Sequence, residues 1–293
     1  MKFRKFLAAA SALLLLLLSG CAGTRENARI AATTLPVWEF TTRLCEGTSI
    51  TVTRLVTEQV SCLHDYSLNV RQVKAAEAAE AIVISGAGLE DFLSDLLLDT
   101  PVIDASDGIP LLCSEEVHEG DSHEGHHHED DPHIWLSPEN AGKMAENICA
   151  GLSRQYPEYA QTFEANLSTL LSDLEQLQQY GRETLSDLKC RSLITFHDGF
   201  SYFAEAFDLT IVEAVEEESG SEASAKELIH LIEDVREYDL PAVFTEVSGS
   251  TSAADIIARE TGCRVYALDM AMSGDSYFDA MYHNIDTIKE ALG

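Results

Sequence analysis

Short runs of β-branched and apolar residues alternate with stretches of helical periodicity along most of the chain. In the first half, residues 30–35, 50–56, 81–85 and 102–105 have the length and composition of buried strands, and residues 37–45, 70–80 and 89–98 carry helical patterns between them. The second half repeats the scheme, with strands expected over 192–196, 210–214, 242–246 and 264–268 and helices over 222–237, 253–260 and 277–292. Alternation at this spacing predicts βαβ units and a mostly parallel sheet in each half. Between the halves, Tyr159, Phe163, Leu167, Leu170, Leu171, Leu174 and Leu177 recur at steps of three and four, after a proline suited to the first helical position. One long helix is expected from 157 to 188, its apolar stripe used for core packing; Gly181 weakens the pattern without ending it. The expected fold class is therefore α/β. Two lobes, 21–156 and 190–293, each hold a mostly parallel sheet flanked by helices, and a connecting helix over 157–189 joins them.

Two segments break the alternation. Residues 1–6 carry Lys2, Arg4 and Lys5, and 7–19 form an almost unbroken apolar run, too short to span a bilayer as a stable helix. The run ends in Leu18-Ser19-Gly20-Cys21. This resembles the lipobox of bacterial lipoproteins, in which the cysteine is lipidated and becomes the new N-terminus. Residues 1–20 are thus expected to be a lipoprotein signal peptide, and a lipid on Cys21 would hold the rest at a membrane, outside the cytoplasm. The second exception, residues 115–132, has no apolar periodicity and gathers His118, His123, His126, His127 and His128, five of the ten histidines, among acidic residues. Such a composition cannot bury a core and reads as a loop; imidazole with carboxylate suits loose association with divalent metal.

At 293 residues the chain exceeds what one core normally organises, and it carries a formal charge of −31. A polyanion of this size repels nucleic acid, so no nucleic-acid partner is expected. Of the seven cysteines, six lie beyond Cys21 and allow fifteen disulfide connectivities. Cys190 and Cys263 each precede an expected strand of the second lobe and make the favoured pair. No CxxC spacing supports a thiolate zinc site.

Three other histidines carry more weight. His64 follows the second strand, His133 closes the acidic loop, and His197 follows the first strand of the second lobe. In open parallel sheets, ligands bind beyond the carboxyl ends of the strands, so facing lobes could bring these side chains into one cleft. Each alone would be an ordinary surface or hydrogen-bonded histidine. His230 and His283, on expected helices away from these motifs, read as structural or surface residues.

Taken in order, His64-Asp65-Tyr66, Gly86-Ala87-Gly88-Leu89-Glu90, the 131–138 segment containing Asp131-Pro132-His133, Phe196-His197-Asp198-Gly199-Phe200, Phe244-Thr245-Glu246 and Leu268-Asp269 resemble the metal-specific solute-binding lipoproteins of bacterial ABC importers. This is the zinc/manganese cluster that includes the zinc-uptake binding proteins. The resemblance implies His64, His133, His197 and Asp269 as ligands, two α/β lobes joined by one long helix, and an ABC permease with its ATPase as partners of a monomer. Glu246, ending a strand, either orients a ligating imidazole or takes the fourth position itself. Leu63 and Ser137 depart from the family's usual Pro and Asp. Cys62, two residues before His64, is a further departure, as a thiolate near the metal or as a disulfide or buried cysteine. Three imidazoles and one carboxylate favour Zn2+ over Mn2+, since manganese prefers oxygen ligands.

The expected function is capture of Zn2+ between the lobes and delivery to the permease, without catalysis. Affinity should fall in acid as protons compete for the histidines. A zinc hydrolase is the rival enzyme, with Glu246 or Asp198 as general base; the absence of HExxH and the presence of Asp269 in the open position argue against it. A surface adhesin is a third class, compatible with metal binding.

Overall fold

The computed structural model describes residues 29–59, 63, 66–94, 100–112, 130–215 and 224–293. Cys21, Cys62, His64 and the five histidines of the 115–132 segment lie outside the described residues.

The first sheet comprises β1 (Arg29–Ala32), β2 (Thr51–Arg54), β3 (Ala81–Ile84) and β4 (Val102–Asp104), in the order β2-β1-β3-β4, all parallel. Helix α1 (Leu35–Leu44) connects β1 to β2, and α2 (Val70–Glu77) leads to β3. Asn69 closes a capping box on α2: its side chain accepts from the N–H groups of Arg71 and Gln72, and the Gln72 side chain returns the bond to the Asn69 N–H. The second sheet repeats the order with β5 (Ser192–Thr195), β6 (Thr210–Ala214), β7 (Ala242–Glu246) and β8 (Arg264–Leu268), arranged β6-β5-β7-β8, again all parallel. Both sheets therefore change winding direction at their centre, between β1 and β3 and between β5 and β7. That is the point at which open α/β sheets leave a crevice at their carboxyl edge.

The connecting segment opens as a 3-10 turn at Pro157–Tyr159 and continues as an α-helix, Ala160–Thr184. An unanticipated helix precedes it, α3 (Pro138–Gln155), capped by the Ser137 hydroxyl, so the long helix is α4. Phe163, Leu170, Leu174 and Leu177 of α4 are buried in the main core. They pack against α1 and α3 on one side and the C-terminal helix, α8 (Tyr277–Leu292), on the other. Gly181 sits where α4 meets Phe207; a Cβ there would lie 2.2 Å from the ring, so close packing rather than flexibility explains the glycine. The other helices of the second lobe are α5 (Ser201–Ala206), α6 (Ala225–Glu237) and α7 (Ser252–Thr261). Among the described residues, no helix is long and apolar enough to cross a membrane.

Two sequence expectations need correction. The helix expected over 89–98 is, in its described part, one 3-10 turn, Asp91–Leu93. Glu90, just before it, turns its side chain back to accept from the backbone of Ser85 and Gly86. The expected Cys190–Cys263 disulfide is absent: Cys45, Cys149, Cys190 and Cys263 are free thiols. Cys190 leads into β5 and Cys263 into β8, and β7 lies between those strands. Two strand spacings amount to roughly 10 Å, beyond the roughly 7 Å that a disulfide can bridge.

Candidate metal centre

Four of the residues marked by their motifs lie at or just beyond the carboxyl ends of strands or at the entry to α3. His197 stands two residues after β5, and Glu246 is the last residue of β7, so the pair flanks the change of winding in the second sheet. Their side chains meet: His197 Nδ1 lies 3.0 Å from Glu246 Oε1, with the carboxylate almost fully buried. Thr195 Oγ1 donates to the His197 carbonyl at 3.0 Å and holds the turn on which the imidazole sits.

His133 arrives from the other lobe on a short turn before α3. Asp131 fixes it twice, accepting from the His133 backbone N–H at 2.9 Å and lying 2.8 Å from its Nδ1 with the same oxygen. The next turn is anchored in the opposite lobe: Trp135 Nε1 donates to the Met270 carbonyl at 2.7 Å, and Tyr277 Oη donates to the Trp135 carbonyl at 2.8 Å. Asp131 itself is clamped. Its N–H donates to Leu112 O, and Tyr202 Oη donates to its carbonyl while accepting from the Leu112 N–H. The chain is thus tied immediately on either side of the acidic segment.

Each imidazole therefore places Nδ1 against a carboxylate, which keeps the proton on that nitrogen and leaves the Nε2 lone pair for another partner. The two Nε2 atoms face each other at 3.4 Å, with the rings nearly perpendicular. Two neutral acceptors gain nothing from this approach by themselves. A tetrahedral ion with Zn–N bonds of about 2.0–2.1 Å requires ligand atoms roughly 3.3–3.4 Å apart, which matches it. Gly199 makes the approach possible: a Cβ there would fall 2.7 Å from His197 Cδ2, 3.1 Å from His133 Cε1 and 2.6 Å from Met270 Cε.

Asp269 follows β8 directly. Asn284, fully buried, holds it by a pair of bonds, accepting from the Asp269 N–H and donating to its carbonyl, each at 2.7 Å. Burial raises the Asp269 carboxyl pKa, opposed by the hydrogen bond from the Ala271 N–H and by His283 nearby. The described residues bring His133 and His197 together as a pair, but they do not place the Asp269 carboxylate within 4.8 Å of both rings. Asp198 lies beside His197 in sequence.

Sequence reading missed the part played by Asp131. Its only signal was position, two residues before a candidate ligand and in the right place to return to that ring. Another part of the family pattern, Gly86 to Glu90, builds the crevice wall in the first lobe. The buried Glu90 accepts from Thr33 Oγ1 at 2.6 Å, from Ser85 N at 2.7 Å and from Gly86 N at 3.0 Å, drawing together the ends of β1 and β3. Gly86 has φ of +85°, and a Cβ would lie 2.0 Å from Asp104 Oδ1, so glycine is required.

The comparisons agree with this architecture. The family model described as ZnuA, zinc-uptake complex component A periplasmic, matches residues 30–291. The zinc-binding lipoprotein AdcA of Streptococcus pneumoniae is 30% identical over 305 residues, covering 99% of this chain and 60% of its own length. The chain thus spans well under two thirds of that relative. Among solved structures, a crystal structure of ZnuA superposes with a TM-score of 0.79 at 30% identity, covering 92% of this chain and all of the other. The Zn(II)-bound ZnuA-like domain of Streptococcus pneumoniae AdcA gives 0.77 at 28% identity, over 91% and 99% of the two chains. With two sheets of one winding, one long helix, and a family pattern matched from the first strand to the last helix, the chain belongs to the ZnuA family of zinc-uptake components.

Proposed function

We propose that this protein captures one Zn2+ ion between its lobes, outside the cytoplasm, and delivers it to an ABC permease for uptake. One observation carries the reading: two Nε2 atoms 3.4 Å apart, each on a ring whose other nitrogen faces a buried carboxylate. His133 and His197 supply two ligands, and His64 and Asp269 the other two. Glu246 and Asp131 orient the rings and raise their basicity. Cys21 carries the lipid anchor, and the protein works as a monomer. The name of the AdcA relative, a zinc-binding lipoprotein, supports cargo and anchorage alike. Membership of a family of substrate-binding proteins supports binding rather than hydrolysis.

Capture and release need no chemical turnover, only an energetic difference between closed and open sites. The lobes are fastened across the segment after β8. Leu35 N donates to Met272 O, Arg54 Nη1 to Gly274 O, and Tyr277 N to Glu39 Oε2, in addition to the Trp135 bond. Such ties resist wide hinge opening, so release proceeds by local movement around the ligands, driven by docking on the permease.

Metal competition on the unlipidated chain, read by calorimetry and metal analysis, tests the proposal. One tightly bound zinc ion is expected, resistant to manganese, with affinity lost more than about 100-fold in His133→Ala and in His197→Ala, beyond the roughly 10–100-fold typical of orienting residues. Unchanged zinc binding in both variants, or preference for manganese, would overturn it.

A further inference from the structure

Tyr202, the second residue of α5, is 2% exposed and packs in the main core. Its hydroxyl reaches the first lobe and is used in both senses. It donates to the Asp131 carbonyl and accepts from the Leu112 N–H, each at 2.9 Å. Leu112 in turn accepts from the Asp131 N–H at 2.8 Å. Both polar atoms of the Asp131 main chain are therefore held, one by each partner. The Asp131 side chain has no second anchor: Oδ1 serves the His133 N–H and ring, whereas Oδ2, shielded from solvent, has no hydrogen bond. A carboxylate without an anchor of its own points where its main chain directs it. The aim of Asp131 at the His133 ring thus depends on the ties made by Tyr202 and Leu112.

The position of Tyr202 in the chain is the second observation. His197 stands five residues before it, with the buried Phe200 between them. One short segment of the second lobe therefore presents one imidazole directly and, through Tyr202, holds the carboxylate that presents the other. The two Nε2 atoms meet at 3.4 Å although their rings come from different lobes. Metal–ligand distances are set to within about 0.2 Å, so such a pair needs a cross-lobe tie close to the ion. The Trp135 and Tyr277 bonds tie the turn after His133, and Tyr202 ties the chain before it. A buried tyrosine hydroxyl finds a partner in most proteins, so the bond alone would be ordinary. Its placement between the carriers of the two rings is what gives it a role in their spacing.

We infer that Tyr202 is a positioning residue of the metal centre, whose hydroxyl ties Asp131 to the segment carrying His197 and so sets the spacing of the His133 and His197 rings. The inference rests on the reading of that pair as zinc ligands.

The test uses the full unlipidated chain, with zinc affinity read by chelator competition and ligand geometry by the visible spectrum of the protein loaded with cobalt(II) instead of zinc. Tyr202→Phe removes one oxygen. It should lower zinc affinity about 10-fold, the low end of the roughly 10–100-fold that orienting residues contribute, and alter the cobalt spectrum. In the Asp131→Asn background the same change should cost less than about threefold, because the hydroxyl acts through that carboxylate. Leu174→Ala, a truncation in the buried face of α4, should lower stability and leave affinity and spectrum unchanged. Parent affinity and spectrum in Tyr202→Phe, or an equal loss in both backgrounds, would overturn the inference. Amide exchange in the zinc-free parent chain tests it without any substitution. The Leu112 and Asp131 N–H groups should be protected, and rapid exchange would show that no tie is in place before the ion arrives, which also overturns it. A parent chain that binds no zinc would defeat the underlying reading, whereas a parent that binds zinc tightly beside an unaltered Tyr202→Phe would defeat this inference alone.

Discussion

The two sheets share one winding and use its crevice differently. At the carboxyl end of the first sheet, a buried carboxyl group is turned inward: Glu90 takes three hydrogen bonds from the residues just after β1 and β3, one from the Thr33 hydroxyl and two from backbone N–H groups. At the equivalent place in the second sheet, Glu246 lies against His197 Nδ1 and pushes the opposite ring nitrogen outward. The same kind of group thus holds the protein's own backbone in one lobe and an imidazole ring in the other. Topology determines where a crevice forms; the donors facing its carboxylate determine whether the crevice binds anything. Where the donors are backbone N–H groups the carboxylate is saturated, and where the donor is an imidazole the bond is relayed to a second atom.

The largest break in this comparison should come from the relaying carboxylates. Replacing Glu246 by Gln, or Asp131 by Asn, keeps shape and volume but weakens the hold on Nδ1, so that the metal-facing nitrogen loses basicity and fixed direction. Zinc affinity should fall about 10–100-fold in each single variant. The double variant should depart from simple additivity, since the two rings stand 3.4 Å apart and meet at one ion. Competition titration against a chromogenic chelator measures this. An affinity unchanged in both variants would mean that the carboxylates are structural, like Glu90.

Glu90 should respond in stability and not in metal affinity. Burial pushes its carboxyl up to about 7 from an ordinary 4.5, although Thr33, Ser85 and Gly86 all favour the ionised form. A raised folded-state pKa means that the folded protein holds the proton more tightly than the unfolded chain. Its stabilising contribution is therefore complete below about 4.5 and is lost as pH rises through about 7. In Glu90→Gln, the amide places an N–H donor against the donors that now face the carboxylate, costing about 1–2 kcal/mol at pH 5. In paired urea denaturation series, the gap between parent and variant should narrow from pH 5 to pH 8. A gap independent of pH would show that the carboxyl does not titrate in that range.

Most of the fold could be read from the sequence because the second lobe's strands are short runs rich in β-branched and apolar residues between turn residues: the expected β6, β7 and β8 have the observed limits. The misses have physical causes. Helix α3 was overlooked because its Pro138 start lies only a few residues after the acidic segment and its apolar face, Ala141, Met144, Ala145, Ile148 and Leu152, includes small residues that give little contrast. The disulfide was misjudged because sequence order hides strand order: β5 and β8 are both in one sheet yet not neighbours. At the metal centre, His133 and His197 could be nominated from their place at strand and loop ends, but their meeting depends on Gly199 and on ties from Trp135 and Tyr277 that join positions more than a hundred residues apart.

The smallest effect separates the acidic His-rich segment from the interface site. His133 follows that segment closely, so loss of the segment's histidines is a natural candidate to disturb it. The described residues argue otherwise. Leu112 and Asp131 are bonded to each other, Tyr202 Oη engages both, and Asp131 then fixes His133 through its backbone N–H and its ring. The positions flanking that segment, Leu112 and Asp131, are thereby held by Tyr202 of α5, an element of the other lobe. Replacing His118, His123, His126, His127 and His128 together by Asn should leave the affinity of the tight zinc ion within about a factor of two, well under the 1.4 kcal/mol that a tenfold change represents. Total zinc bound at high concentration should fall, since the segment's imidazoles are gone. A tenfold or larger loss in the tight event would show that the clamp transmits the loop to His133, and that the segment belongs to the interface site itself.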